Sequence, residues 1–310
     1  MEIFHPYATT QIKRVAALNC RFAHYTNAEA AIKILQSREV WMRSSSCMVD
    51  FREIEYGLEC LSEAYEGTEG SKLKKLLDEV ASGFVDAFQG LFNAWIPHFR
   101  DQTYLTCFSE HDPEEDQFGR LSMWRAFGTA IRVALVFNNK PFLSSSNALS
   151  VYSSPVGYFS RSQFQAEFAR VVAGVESEQG FLRERGKEDV MAYLFQAFKM
   201  SALCTKHPGF HEEKEWRVIH SPTQEPSERV LCHTEVIGGV PQPVYKIPLR
   251  NFPDEGLEGV EVPELLDRII IGPTEYPWAV YQAFKQVLTA AGVPDAGKKI
   301  IVSDIPLRHL

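Results

Sequence analysis

The sequence predicts an α+β fold, a single domain with a central mixed sheet, and three observations carry that prediction. Short runs rich in β-branched and aromatic residues, RFAHYT (21–26), TYLTCFSE (103–110) and IRVALVFN (131–138), read as strands. Longer stretches, such as 50–66 and 72–96, carry apolar residues at helical spacing. The two kinds intermingle without strict alternation, which favours α+β over a doubly wound parallel sheet. With no repeat, low-complexity tract or obvious linker, residues 1–310 read as one domain with helical insertions near 50–96 and 161–204.

The elements follow in order. RFAHYT (21–26) is a first strand, and Asn27 suits the N-cap of a helix over AEAAIKILQS. EVWMRS (39–44) is a second strand ahead of a Ser-rich turn. In 72–96, Leu73, Leu76, Leu77, Val80, Phe84 and Phe88 form one helical stripe. Strand 103–109 leads through an acidic loop, HDPEEDQ, to a short helix, LSMWRAFG (121–128), and to the strand at 131–137. Pro155 makes VYSSPVGYFS (151–160) a hairpin or an edge strand. Helices near 161–175 and 187–204 precede a strand at 214–220, then the β candidates ERVLCHTEV and PVYKIPLR. DRIIIGP, EYPWAVYQAFKQVLTAAG and KKIIVSDIP close the chain as a β-α-β unit.

Composition bounds the function. The chain is 45% hydrophobic and 23% charged, which is ordinary globular usage. A net charge of -8 argues against a non-specific nucleic-acid or anionic-membrane binder, since both need a basic surface. The six cysteines are scattered with no CxxC pair, as in a reduced cytoplasmic protein. The N-terminus lacks a signal-peptide pattern, and no apolar run reaches the roughly 18 residues of a membrane span. These features predict a soluble cytoplasmic protein.

The stretch FHEEKEWRVI (210–219) raises the sharpest question. As a strand, alternation puts Glu213, Glu215 and Arg217 on one face, and Trp216 and Val218 on the other. Such a face is either solvated, with weak ion pairs, or a site. Further candidates are His24, with Tyr25 and Thr26, on the first strand, Ser109 at the end of a buried strand, and Trp124 and Arg125 on the short helix. Each has an ordinary structural explanation, but all lie on or beside sheet strands, where one cleft can gather them. Cys204, His207 and His211, with Cys232 or His233 as a fourth ligand, superficially match zinc spacing. Pro208-Gly209 makes that segment a plain turn instead, and no metal is expected there. No nucleophile elbow occurs, and the single glycine of IGPTEYP is too little for a phosphate loop.

The order of these motifs resembles a bacterial family, the domain-of-unknown-function family 2971. The resemblance rests on His24-Tyr25-Thr26, Val40-Trp41, Met48 to Glu53, Cys107-Phe108-Ser109, Met123-Trp124, Val133 to Phe137, Lys206 to Arg217, and Ser303 with Ile305-Pro306 and Arg308. The turn at Val49-Asp50-Phe51 and the helix position Phe127 depart from the family pattern. A second resemblance is to ADP-ribosyltransferase folds, where a first-strand His, a middle-strand Ser and a late-strand Glu surround NAD. That resemblance implies a cytoplasmic transferase acting on NAD, by ADP-ribosyl transfer or glycohydrolysis, with Glu215 as the acting carboxylate and Glu213 positioning substrate. An oxocarbenium-like transition state needs such a carboxylate. His24, Tyr25, Thr26, Ser109, Trp124, Arg125 and Arg217 would then bind the substrate. Glu215→Gln would abolish turnover and leave the melting temperature nearly unchanged. Two alternatives stand beside this one. The first is a non-catalytic nucleotide- or peptide-binding regulatory module. The second is a metal-dependent nuclease or phosphodiesterase built on Asp50, Glu53, Glu213 and Glu215.

Overall fold

The computed structural model describes residues 2–47, 53–126 and 131–306. The elements begin with α1 (Pro6–Leu18), β1 (Arg21–Asn27), α2 (Ala28–Ser37), β2 (Glu39–Ser44), α3 (Glu53–Glu66), α4 (Thr68–Val80) and α5 (Phe84–Asp101). Next come β3 (Tyr104–His111), α6 (Leu121–Ala126), β4 (Arg132–Phe137), β5 (Tyr152–Pro155), β6 (Gly157–Tyr158), α7 (Arg161–Ser177), α8 (Gln179–Leu203) and β7 (Thr205–Lys206). The last are β8 (Glu215–His220), β9 (Leu231–Ile237), β10 (Val240–Pro248), α9 (Val262–Leu265), β11 (Leu266–Ile271), α10 (Pro277–Ala290) and β12 (Ile300–Val302). The fold is α+β, and the chain condenses as two compact units.

One unit comprises Met1–Arg14, Ser44–Thr103 and Ser154–His211, and both predicted helical insertions fall in it. Phe88, Phe92 and Phe99 share a face of α5 because they are spaced by four and seven residues. That face meets Phe195 and Phe198 of α8, with Phe88 and Phe198 edge-on at 5.0 Å between ring centroids. Helices α3 and α8 approach so closely that a Cβ on Gly57 would stand 2.2 Å from the Ala202 carbonyl oxygen. The predicted helix over 72–96 is two helices, because Gly83 takes a left-handed φ of 68° between α4 and α5.

The other unit, Val15–Arg43, Tyr104–Ser153 and Glu212–Leu310, carries the large sheet. Its strand order is β12-β11-β4-β1-β3-β2-β10-β9, and β8 pairs with β3 as well. The four strands predicted at 21–25, 103–109, 131–137 and 214–220 are β1, β3, β4 and β8. The C-terminal β-α-β unit also forms, with β11 and β12 parallel. One face of the sheet holds Phe22, Phe108, Leu135, Trp216 and Ile269, covered by Ile34 and Leu35 of α2 and Phe284 and Leu288 of α10. The opposite face holds Ala23, Tyr25, Ala134, Val136 and Ile270, packed with Trp124 of α6.

Candidate functional site

Strand β8 starts at Glu215, later than the alternation predicts. Pro208–Glu213 forms a 3-10 turn, and Lys214 takes a left-handed φ of 44° before the strand begins. Glu213 therefore does not share the strand face of Glu215, and this corrects the predicted run of three. Glu215 and Arg217 do share one, and both are buried, at 6% and 1% exposure. Arg217 Nε donates to Glu215 Oε1 at 2.7 Å. Every residue of β8 is buried, so the face is not solvated. Trp216 and Val218 point to the other face, as predicted.

Ser109 lies directly across from Glu215 in the β3–β8 register. Its hydroxyl donates to the Glu213 carbonyl and accepts from Arg120 Nη1. Arg120 is a residue that sequence reasoning missed. Its guanidinium also donates to the carbonyls of Glu212 at 2.9 Å and Glu110 at 2.7 Å, and to Glu115 Oε1 at 2.8 Å. It is a clamp that holds the Glu212 and Glu213 backbone against the end of β3. The signal for it was its five-residue distance from Glu115 at the end of the acidic loop. The same clamp engages Tyr25, whose hydroxyl accepts the Arg120 backbone N–H at 2.9 Å and whose pKa burial pushes up.

Trp124 is 1% exposed, donates through Nε1 to the Phe118 carbonyl at 2.7 Å and meets the Tyr25 ring edge-on at 4.9 Å. Gly119 accommodates it: its φ is +66°, and a Cβ there would lie 2.3 Å from Trp124 Cζ2. Arg125 is exposed on the far side of α6.

His24 sits elsewhere. The pairing Ala23↔Ser109 puts His24 opposite Phe108, and its ring lies 5.3 Å from that ring. Strands β1 and β3 pair only over Arg21–Ala23, and past that point the sheet forks. His24 Nδ1 bonds the Cys107 carbonyl at 2.9 Å, occupying a backbone acceptor at the fork. Burial lowers its pKa, and the Cys107 bond acts against that shift. Thr26 shares the His24 side of β1. The convergence expected of all these residues is thus corrected: Tyr25, Ser109, Trp124, Glu215 and Arg217 share one sheet face, and His24 and Thr26 occupy the other.

A charged network that the sequence reading did not anticipate borders the Arg120 clamp. Arg21 donates to Asp267 at 2.6 Å and Asp116 at 2.8 Å, and Arg268 binds the same two carboxylates at 2.7 and 2.8 Å. Buried His111 joins through Nε2, 2.9 Å from Asp116. Among the described residues, no three His, Cys, Asp or Glu side chains are grouped to hold a metal ion. His207 Nδ1 accepts the Gly209 N–H and His211 Nδ1 meets the Pro208 carbonyl, consistent with a turn. Asp50, Phe127 and Arg308 lie outside the described residues, and Glu53 opens α3. None of the six cysteines is joined in a disulfide. No described helix is long and apolar enough to cross a membrane.

The sheet face that carries Phe108 and Trp216 holds a cavity of about 100 Å³. Its floor is made by Val40, Phe108, Phe137, Val218 and Ile247 from five strands, and residues of segments 141–153 and 249–265 complete its lining. Ser146 Oγ ties those two segments together by donating to the Glu255 carbonyl at 2.7 Å. The polar side chains of the lining are Ser144, Ser146 and Ser153. The sequence marked the Ser-rich 144–150 stretch only as a connection.

No curated protein and no solved structure matches the chain. A family model does match, over residues 123–218, from Trp124's helix through Glu215 and Arg217 in β8. The HYT and CFS motifs of the sequence reading lie outside that stretch. Across it, the chain resembles the family described as a protein of unknown function (DUF2971).

Proposed function

We propose that the protein is a non-catalytic binding module that takes a small molecule into the cavity over β3, β8 and β10. The observation that carries this reading is the cavity itself, about 100 Å³ of apolar space with three serines in its lining. A largely preformed apolar pocket with a few polar groups is the usual form of a ligand site. The side chains first assigned to chemistry support the same view, because Ser109, Tyr25 and Trp124 each hold part of the fold together. A thermal-shift screen of small uncharged molecules should raise the melting temperature of the native protein. Val218→Phe, which fills the cavity floor, should remove that response.

One observation favours a second reading, cleavage of the nicotinamide-ribose bond of NAD for ADP-ribosyl transfer or glycohydrolysis. Arg217 at 2.7 Å favours the ionised form of Glu215, the form that stabilises an oxocarbenium-like charge. Incubation with labelled NAD, with and without EDTA, decides between the two. The binding reading expects no nicotinamide release under either condition, and EDTA-insensitive release would overturn it in favour of NAD cleavage. Metal-dependent nucleic-acid cleavage would favour the nuclease alternative.

A further inference from the structure

We infer that the ligand of this cavity is an uncharged single-ring aromatic molecule that presents one hydrogen-bond acceptor, such as a ketone or ester carbonyl, to Ser153 and Ser144. The inference rests on the proposed binding role and specifies its chemistry. Three features lead to it, beginning with the hydroxyl protons. A serine hydroxyl has one donor and two acceptor sites. Ser153 Oγ accepts Trp216 Nε1–H at 2.5 Å, so its own proton is directed elsewhere. Ser144 Oγ likewise accepts the Ser146 N–H at 3.1 Å. Ser146 differs, because its proton goes to the Glu255 carbonyl. Two of the three serines thus bring a donor to the cavity wall, and the complement of a donor is an acceptor on the ligand.

Charge is the second feature. No Asp, Glu, Lys, Arg or His lines the cavity. Burying an ionised ligand there would leave its charge uncompensated, which is far costlier than burying a neutral group. The third feature is the aromatic wall. Phe108 meets Phe142 edge-on with centroids 4.8 Å apart, and Phe137 lies 5.9 Å from Phe108. A further ring can join such a cluster in edge-to-face geometry. At about 100 Å³ the cavity is smaller than the roughly 150 Å³ engineered cavity that takes benzene, which limits the ligand to a single ring.

The test compares three probes of one shape class on the full chain: acetophenone, ethylbenzene and benzoate, by calorimetry or by methyl NMR shifts at Val218 and Val260. Acetophenone is expected to bind roughly three- to tenfold more tightly than ethylbenzene, the range of one neutral hydrogen bond. Benzoate should not bind. Ser144→Ala and Ser153→Ala should each shrink the acetophenone preference while ethylbenzene affinity stays within about twofold. Ser144→Ala keeps the test valid if loss of the Trp216 acceptor unfolds Ser153→Ala. Equal binding of acetophenone and ethylbenzene, both blocked by Val218→Phe, would overturn the acceptor inference and leave the binding role standing. Preferential benzoate binding would also overturn it. Failure of all three probes, or binding that Val218→Phe does not affect, would overturn the inference at this cavity and count against the binding role as well.

Discussion

Arg120 joins four backbone or hydroxyl acceptors and one carboxylate while almost fully buried. Lysine cannot reproduce that fork, because its ammonium is a point charge on a flexible stem. Arg120→Lys should therefore lower the unfolding free energy by about 2 to 4 kcal/mol, read from urea titrations. An unchanged midpoint would mean that the clamp is dispensable. Glu215→Gln tests the buried ion pair in the same way. Whether the face was solvated or a site, the sequence led to an expectation of little change in stability, but a buried guanidinium that loses its carboxylate is costly. The variant should lose about 2 kcal/mol or more in guanidinium chloride, whether or not any turnover exists to be lost. A melting temperature within 1 to 2 °C of the native protein, as expected of an exposed pair, would contradict the burial at 6% and 1%.

At the scale of elements, the close approaches depend on positions without a side chain. A Cβ at Gly57 would penetrate the Ala202 carbonyl, and backbone has no rotamer by which to yield. Gly57→Ala should separate α3 from α8 and lower stability by about 2 kcal/mol or more, in the upper part of the roughly 1 to 3 kcal/mol usual for overpacking. Thermal melts followed by circular dichroism would register it, whereas Gly90→Ala on α5, with open space around it, should be neutral or slightly stabilising. Local patterns identified these helices well, down to the Asn27 N-cap, whose side chain accepts the Ala30 N–H. The division of 72–96 into α4 and α5 was also legible in principle, since Gly83 lies between its two halves. The apolar stripe outweighed it because periodicity averages over a window and one glycine interrupts it only slightly.

For the whole molecule, buried histidines set the response to acid. Burial lowers the pKa of His24 and His111 from 6.5, and that of His5 to about 4. Below pH 6.5 the unfolded chain binds protons that these folded imidazoles do not, so stability is complete above that pH and falls as the pH drops toward 4. Two carboxylates extend the loss. For Asp267, burial pushes the pKa up, but hydrogen bonds from Arg268 and Arg21 outweigh it and hold the group below its usual range. Asp112 behaves likewise through Lys214. Urea midpoints measured from pH 8 to pH 4 should be level down to about 6.5 and then decline. A midpoint constant to pH 5 would show that these imidazoles are already solvated.

What the sequence determined by itself was local: the four central strands, the C-terminal β-α-β unit, most helices, and the split of Trp216 and Val218 from Glu215 and Arg217 along one strand. Each of these depends on a period of 2 or 3.6 within a single segment. Which side of the sheet a residue takes relative to another strand was decided only in the tertiary structure. Along one strand the alternation is internal, but between strands it depends on register, and a slip of one residue moves every side chain to the other face. The registers Ala23↔Ser109 and Ser109↔Glu215 put Ser109 with Glu215 and turn His24 away from both. The cavity is of the same kind. Its floor comes from five strands and the rest of its lining from two segments distant in sequence, so no single stretch of the chain contains its pattern.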